Sequence, residues 1–104
     1  MYARAFKTTY ANELMKQSVM TFMTKNVDLT NGMLLAFKMH LSKNQVLHVG
    51  LYPDEATANA AAKATSNLRQ QVKDMGAKQE VLTGDITNFV IDGSVTLDQL
   101  TGSA

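Results

Sequence analysis

Two alternating segments around a three-residue connection constrain this chain more than anything else in it. Residues 33–41 and 45–52 alternate around Ser42-Lys43-Asn44, and the second runs straight into an alanine-rich stretch opened by Pro53-Asp54-Glu55. Period-two alternation marks strands, and a short polar connection folds them into an antiparallel hairpin. With Asn44 in a left-handed conformation, the loop pairs Leu41 with Gln45, Met39 with Leu47, Phe37 with Val49 and Leu35 with Leu51. A two-residue loop would set Met39 against His48 and Phe37 against Gly50, so matching of apolar partners favours the first register. Under it Met33, Leu35, Phe37, Met39, Leu47, Val49 and Leu51 form the face expected to meet the helices.

The flanking segments complete the order. Residues 2–8 alternate as a first strand, and Asn12 is placed to cap a helix running to about Asn26. Met15, Val19, Phe22 and Met23 recur along it at helical spacing, with Leu14 beside them. Asn31-Gly32 supplies turn chemistry before the hairpin. After the hairpin, Asp54 caps a helix whose stripe is Ala58, Ala61, Ala62, Thr65, Leu68, Val72 and Met75, and Gly76 ends it. Residues 81–90 read as a long last strand. The resulting β-α-β-β-α-β order is that of an α+β, ferredoxin-like sandwich over residues 1–90, followed by a tail, residues 91–104, expected to dock on the domain or a partner.

Composition excludes several functions. At 104 residues the chain is one domain. Charged residues are 18% and the formal net charge is +1, which gives no electrostatic reason to expect nucleic acid or an acidic membrane. Absence of cysteine removes disulfides, thiolate metal sites and cysteine nucleophiles, including the paired cysteines of metallochaperones with this element order. The first seven residues hold no long apolar run, so a cytoplasmic location is the default expectation. An RNA-binding sheet would need aromatic residues along residues 45–52, where only Tyr52 occurs, and residues 8–12 lack the glycine and arginine of an acylphosphatase loop.

Two helices cover one face of a four-stranded sheet. The other face is expected to carry Leu34, Ala36, Val46, Gly50 and Tyr52 with Lys38, His40 and His48, and Tyr2 and Phe6 from the first strand. That mixture suits a partner sheet closing over a lined cavity better than bulk water, so a homodimer through the sheet faces is expected. The segment Leu51-Tyr52-Pro53-Asp54-Glu55-Ala56, the alanine-rich helix and Gly84-Asp85-Ile86 resemble the dimeric α/β-barrel superfamily, above all antibiotic biosynthesis monooxygenase-like proteins. The resemblance spans residues 2–90. It implies two ferredoxin-like subunits packed sheet to sheet into a barrel, each with a small-molecule pocket, and no cofactor. It carries over none of the asparagine, tryptophan and histidine residues that such oxygenating or haem-degrading proteins use: there is no Trp, and the histidines lie on the hairpin.

His40 and His48 are the only histidines, set diagonally across the hairpin, and such a pair can act as acid and base near neutral pH. The same pair, solvated or hydrogen-bonded, would do no chemistry, and two nitrogens are too few for a metal. Lys38, Tyr52 and Arg4 are the candidate ligand-binding residues, and Asp85 and Asn88 could reach the same space. Two readings follow: an enzyme acting on a small aromatic or quinone-like molecule, or a non-catalytic dimeric ligand-binding or assembly module. What separates them is whether His40 and His48 line one cavity together.

Overall fold

The computed structural model describes residues 1–25 and 31–101. The order is β1 (Tyr2–Thr9), α1 (Glu13–Lys25), β2 (Leu35–Ser42), β3 (Gln45–Tyr52), α2 (Glu55–Ala64), α3 (Ser66–Asp74), β4 (Lys78–Asp85) and a short α4 (Leu97–Thr101). The four strands form one antiparallel sheet in the order β2-β3-β1-β4, the ferredoxin-like arrangement. The expected end of α1 at Asn26 lies outside the described residues.

Local chemistry explains where the elements start and stop. The Asn12 carboxamide oxygen accepts the backbone N–H of Met15 at 2.8 Å, and Asp54 accepts that of Thr57 at 2.7 Å, so both long helical segments open on side-chain caps. Gly76, at φ +91°, takes the left-handed turn after α3 that a residue with a Cβ rarely adopts. The helix expected to run unbroken from Asp54 to Gly76 instead divides at Thr65. There the Thr65 hydroxyl donates to the Ala61 carbonyl at 3.0 Å, and Arg69 Nη2 donates to the Ala62 carbonyl at 2.6 Å. The Ala61 carbonyl also keeps its ladder bond from the Thr65 N–H at 3.1 Å, so the hydroxyl shares that carbonyl, while Arg69 adds a side-chain donor to the next one.

The hairpin keeps the expected pairs Leu35–Leu51, Phe37–Val49 and Met39–Leu47, but its turn differs. Ser42 pairs with Gln45 after an irregularity at Leu41, and no described non-glycine residue has a positive φ, so Asn44 is not left-handed. Asn44 is held from elsewhere: its carbonyl accepts the Tyr10 N–H at 2.8 Å and its carboxamide donates to the Tyr10 carbonyl at 3.2 Å. The last strand is shorter than expected and shifted back, spanning Lys78–Asp85. Asp85 pairs with Tyr2 at the start of β1, and the Ile86 N–H reaches the Met1 carbonyl.

The largest correction concerns the faces of the sheet. The helices cover the row containing Tyr2, Thr8, Val46 and Tyr52, not the aliphatic row. Val46 is fully buried with Val19 of α1, Val72 of α3, Tyr10 and Ala77, while Tyr2 and Tyr52 pack on Ala58 and Ala61 of α2. Leu35, Phe37, Met39, Leu41 and Leu82 on the opposite face are each between 42% and 49% exposed, although Leu51 at the end of that row is buried. Aliphatic bulk pointed to the wrong row because the covered side is not filled edge to edge. Its helix is alanine-rich, and two tyrosines with a space beside them take the place of branched aliphatics. Leu14, at 71% exposure, also lies off the packed stripe of α1.

Ala61→Leu is expected to destabilise the fold by about 1–3 kcal/mol, since Ala61 is buried against the tyrosine cluster and extra methyl groups overpack it. Chemical denaturation checks this, and an unchanged midpoint would contradict the packing.

Candidate functional site

Between the covered face of the sheet and the helices lies a half-open cleft of about 450 Å³. Its position follows from small residues at close approach. Gly50 sits in β3 where a Cβ would come within 3.2 Å of the Met33 methyl and 3.3 Å of the Tyr52 ring, so its missing side chain leaves them room. Ala61 and Ala62 of α2 keep the opposite wall thin, and Phe6, Met33 and Leu68 make much of the remainder apolar.

The polar groups come from several elements. Arg4 of β1, Lys38 of β2 and His48 and Tyr52 of β3 line the cleft, as does Arg69 of α3. His40 does not, although it precedes a buried neighbour's pair: it faces Val46 at the outer edge of the sheet and is exposed. The two histidines therefore do not line one cavity together. Asp85 and Asn88 are exposed and are not part of the wall.

Arg69 was not singled out by the sequence reading. The signal was the spacing of Thr65 and Arg69, one helical turn apart, which places the guanidinium back along the helix. Nη1 donates to the Thr65 hydroxyl at 2.8 Å, and the guanidinium stands 5.7 Å from the Phe6 ring centroid. Arg4 Nη2 donates to the Asn59 carboxamide oxygen at 2.9 Å, whereas its buried Nε has no hydrogen-bond partner among the described residues.

These surroundings set the protonation states. Burial, helped by the Lys38 and His40 charges, lowers the His48 pKa to about 4, so the imidazole is neutral at neutral pH. A titration near the ordinary histidine value of 6.5 is therefore not what this site provides. Burial pushes the Tyr52 phenol up against the opposing pull of Arg4 and Arg69, leaving it a neutral hydroxyl. Burial and the neighbouring Arg4 charge lower Arg69. No described residue lining the cleft is a carboxylate, and no group of three or more potential metal ligands occurs among the described residues.

No family model and no curated protein matches the chain. Solved structures do. A structure provisionally named an antibiotic biosynthesis monooxygenase, from Deinococcus radiodurans, superposes with a TM-score of 0.71 at 8% identity, over 88% of this chain and 98% of that one. A Streptomyces coelicolor monooxygenase in complex with the ligand nanaomycin D gives 0.71 at 10% identity, over 88% and 92%. A dimeric ferredoxin-like protein from an uncultured marine organism gives 0.71 at 9% identity, over 88% and 100%. Among the described residues no helix is long and apolar enough to cross a membrane. Agreement over nearly the whole domain at such low identity is agreement of backbone, and it shows that this chain has the ferredoxin-like fold of antibiotic biosynthesis monooxygenase-like proteins.

Proposed function

We propose that this protein binds a small aromatic or quinone-like molecule in the cleft and oxidises it as a cofactor-independent monooxygenase. The observation that carries the reading is the cleft itself: about 450 Å³, apolar walls, and convergent polar groups from four elements, the ordinary build of a small-molecule site. In such a reaction a substrate ring methylene becomes a carbonyl, with one oxygen atom taken from dioxygen and the other leaving as water. The substrate supplies the electrons. Neutral His48 is the proton acceptor for a ring hydroxyl or methylene, and Arg4 and Lys38 stabilise the substrate anion that forms. Tyr52 donates a hydrogen bond to the ring oxygen.

The partner in this reading is a second copy of the chain. Leu35, Met39 and Leu82 lie on one exposed face, an apolar patch suited to a facing sheet. This assigns the dimer to the face opposite the cleft, whereas the sequence had put ligand and partner on the same face.

A thermal-shift screen with quinones and hydroxylated aromatics, followed by oxygen-electrode assays on the compounds that bind, tests the proposal. His48→Ala is expected to lower oxygen uptake at least tenfold without unfolding the protein, while His40→Ala leaves it near wild type. Equal effects of the two changes would remove His48 from its role. The depressed basicity of His48 favours a second reading, a non-catalytic ligand-binding dimer, which would show binding with no oxygen uptake from any bound compound.

A further inference from the structure

Resting on that reading, the balance of charge in the cleft narrows what it takes. Arg4, Lys38 and Arg69 all contribute to the wall, and none of its described residues is a carboxylate. The two guanidiniums donate to neutral groups: Arg4 to Asn59, Arg69 to the Thr65 hydroxyl and the Ala62 carbonyl. Their positive charge is thus anchored in place but not neutralised by those contacts. Arg4 additionally keeps a buried N–H, at Nε, that nothing among the described residues accepts.

We propose that the physiological ligand is an aromatic carboxylate, its carboxylate lying in the shared field of the Arg4 and Arg69 guanidiniums, its ring along Phe6 and Leu68. A carboxylate suits the planar donor edge of an arginine. Apolar walls on the remaining sides fit a ring and offer little to a free inorganic anion, which would have to shed water on every face. His48 responds to the same charge: an anion in the cleft opposes the influences that hold its pKa near 4.

The test compares 2-naphthoate with its neutral isostere 2-naphthamide by calorimetry at low and high salt. Naphthoate is expected to bind on the order of tenfold tighter or more, with the advantage shrinking as salt rises. Arg4→Gln should weaken naphthoate by a similar factor and leave naphthamide unchanged. A histidine NMR titration of the wild type supplies a readout independent of how well the variant folds: naphthoate should raise the His48 midpoint, and naphthamide should not. Equal affinities for the two compounds, equal weakening of both by Arg4→Gln, an unmoved His48 midpoint, or displacement of naphthoate by equimolar inorganic phosphate would each overturn the proposal. If both compounds bind equally, the aromatic cleft stands and only its preference for an anion fails. If naphthoate is preferred but no bound aromatic consumes oxygen, the monooxygenase reading fails and the ligand class stands.

Discussion

Met39→Asp is expected to break the dimer proposed above, leaving a monomer of 11.4 kDa by light scattering at micromolar concentration. Met39 lies on β2 opposite Leu47, on the face away from the helices, and is 48% exposed in the single subunit. A carboxylate there is solvated when the subunit stands alone, so the monomer should fold nearly as stably as before. Closing a second sheet over it would strip that water from an unpaired charge, at a cost of several kcal/mol. That amount moves a dissociation constant by a thousandfold or so. Because Met39 is not part of the cleft wall, ligand binding within a subunit serves as an internal control. A wild-type protein that is already monomeric, or a variant that remains dimeric, would rule out the open face as the interface. Leu34, expected from the sequence on the open face, is exposed ahead of β2 and its N–H bonds the Leu51 carbonyl, so it is a poorer probe of the sheet surface.

Element order, both long-helix caps, the glycine after α3 and the pairing of Leu35, Phe37 and Met39 were legible because each is encoded by a few neighbouring residues. Alternation sets strand pairing, and Asn12 and Asp54 are caps whatever the tertiary structure does. Which face the helices choose is not local. Alternation divides a strand into two rows, and both rows here are substantially apolar. The decision rests on the complementarity of Ala58 and Ala61 with Tyr2 and Tyr52, residues from three separate elements. The same argument covers the site. His48, Lys38 and Tyr52 share a row that alternation within the hairpin makes legible, and Arg4 joins that row through its pairing with Gly50, so all four reach one cleft wherever the row points. His40 has the same parity but sits beyond the cleft, and burial of that kind is a property of the finished packing. Arg69 entered at the break at Thr65, through side-chain bonds to the Thr65 hydroxyl and the Ala62 carbonyl that periodicity does not register.

The wild-type protein is expected to lose stability as pH falls from about 6.5 to about 4, in excess of what His48→Gln loses over the same range. The sign follows from the two states of one imidazole. Unfolded, His48 takes a proton near the ordinary value of 6.5; folded, it resists protonation until about 4. Between those values the unfolded chain binds more protons than the folded one, so acid drives unfolding. Above 6.5 both states are neutral and the group has no effect; below 4 both are charged and the full loss has accrued. Solvent at the open side of the cleft screens the site, so the excess loss is put at about 1–2 kcal/mol, below the full value that the shift alone would carry. Asp54 and Asp92, whose carboxylates are held low by the backbone N–H groups of Thr57 and Ser94, also lose stabilising contacts in acid. They do so in both proteins and cancel in the difference. Urea denaturation of wild type and His48→Gln at pH 7 and pH 4.5 isolates the histidine. Parallel losses would mean that His48 is hydrated in the folded protein and charges as freely as in the unfolded chain. The cleft would then be wetter than its walls imply, and His48 would keep an ordinary imidazole's basicity, which suits a proton acceptor at neutral pH better than a pKa near 4 does.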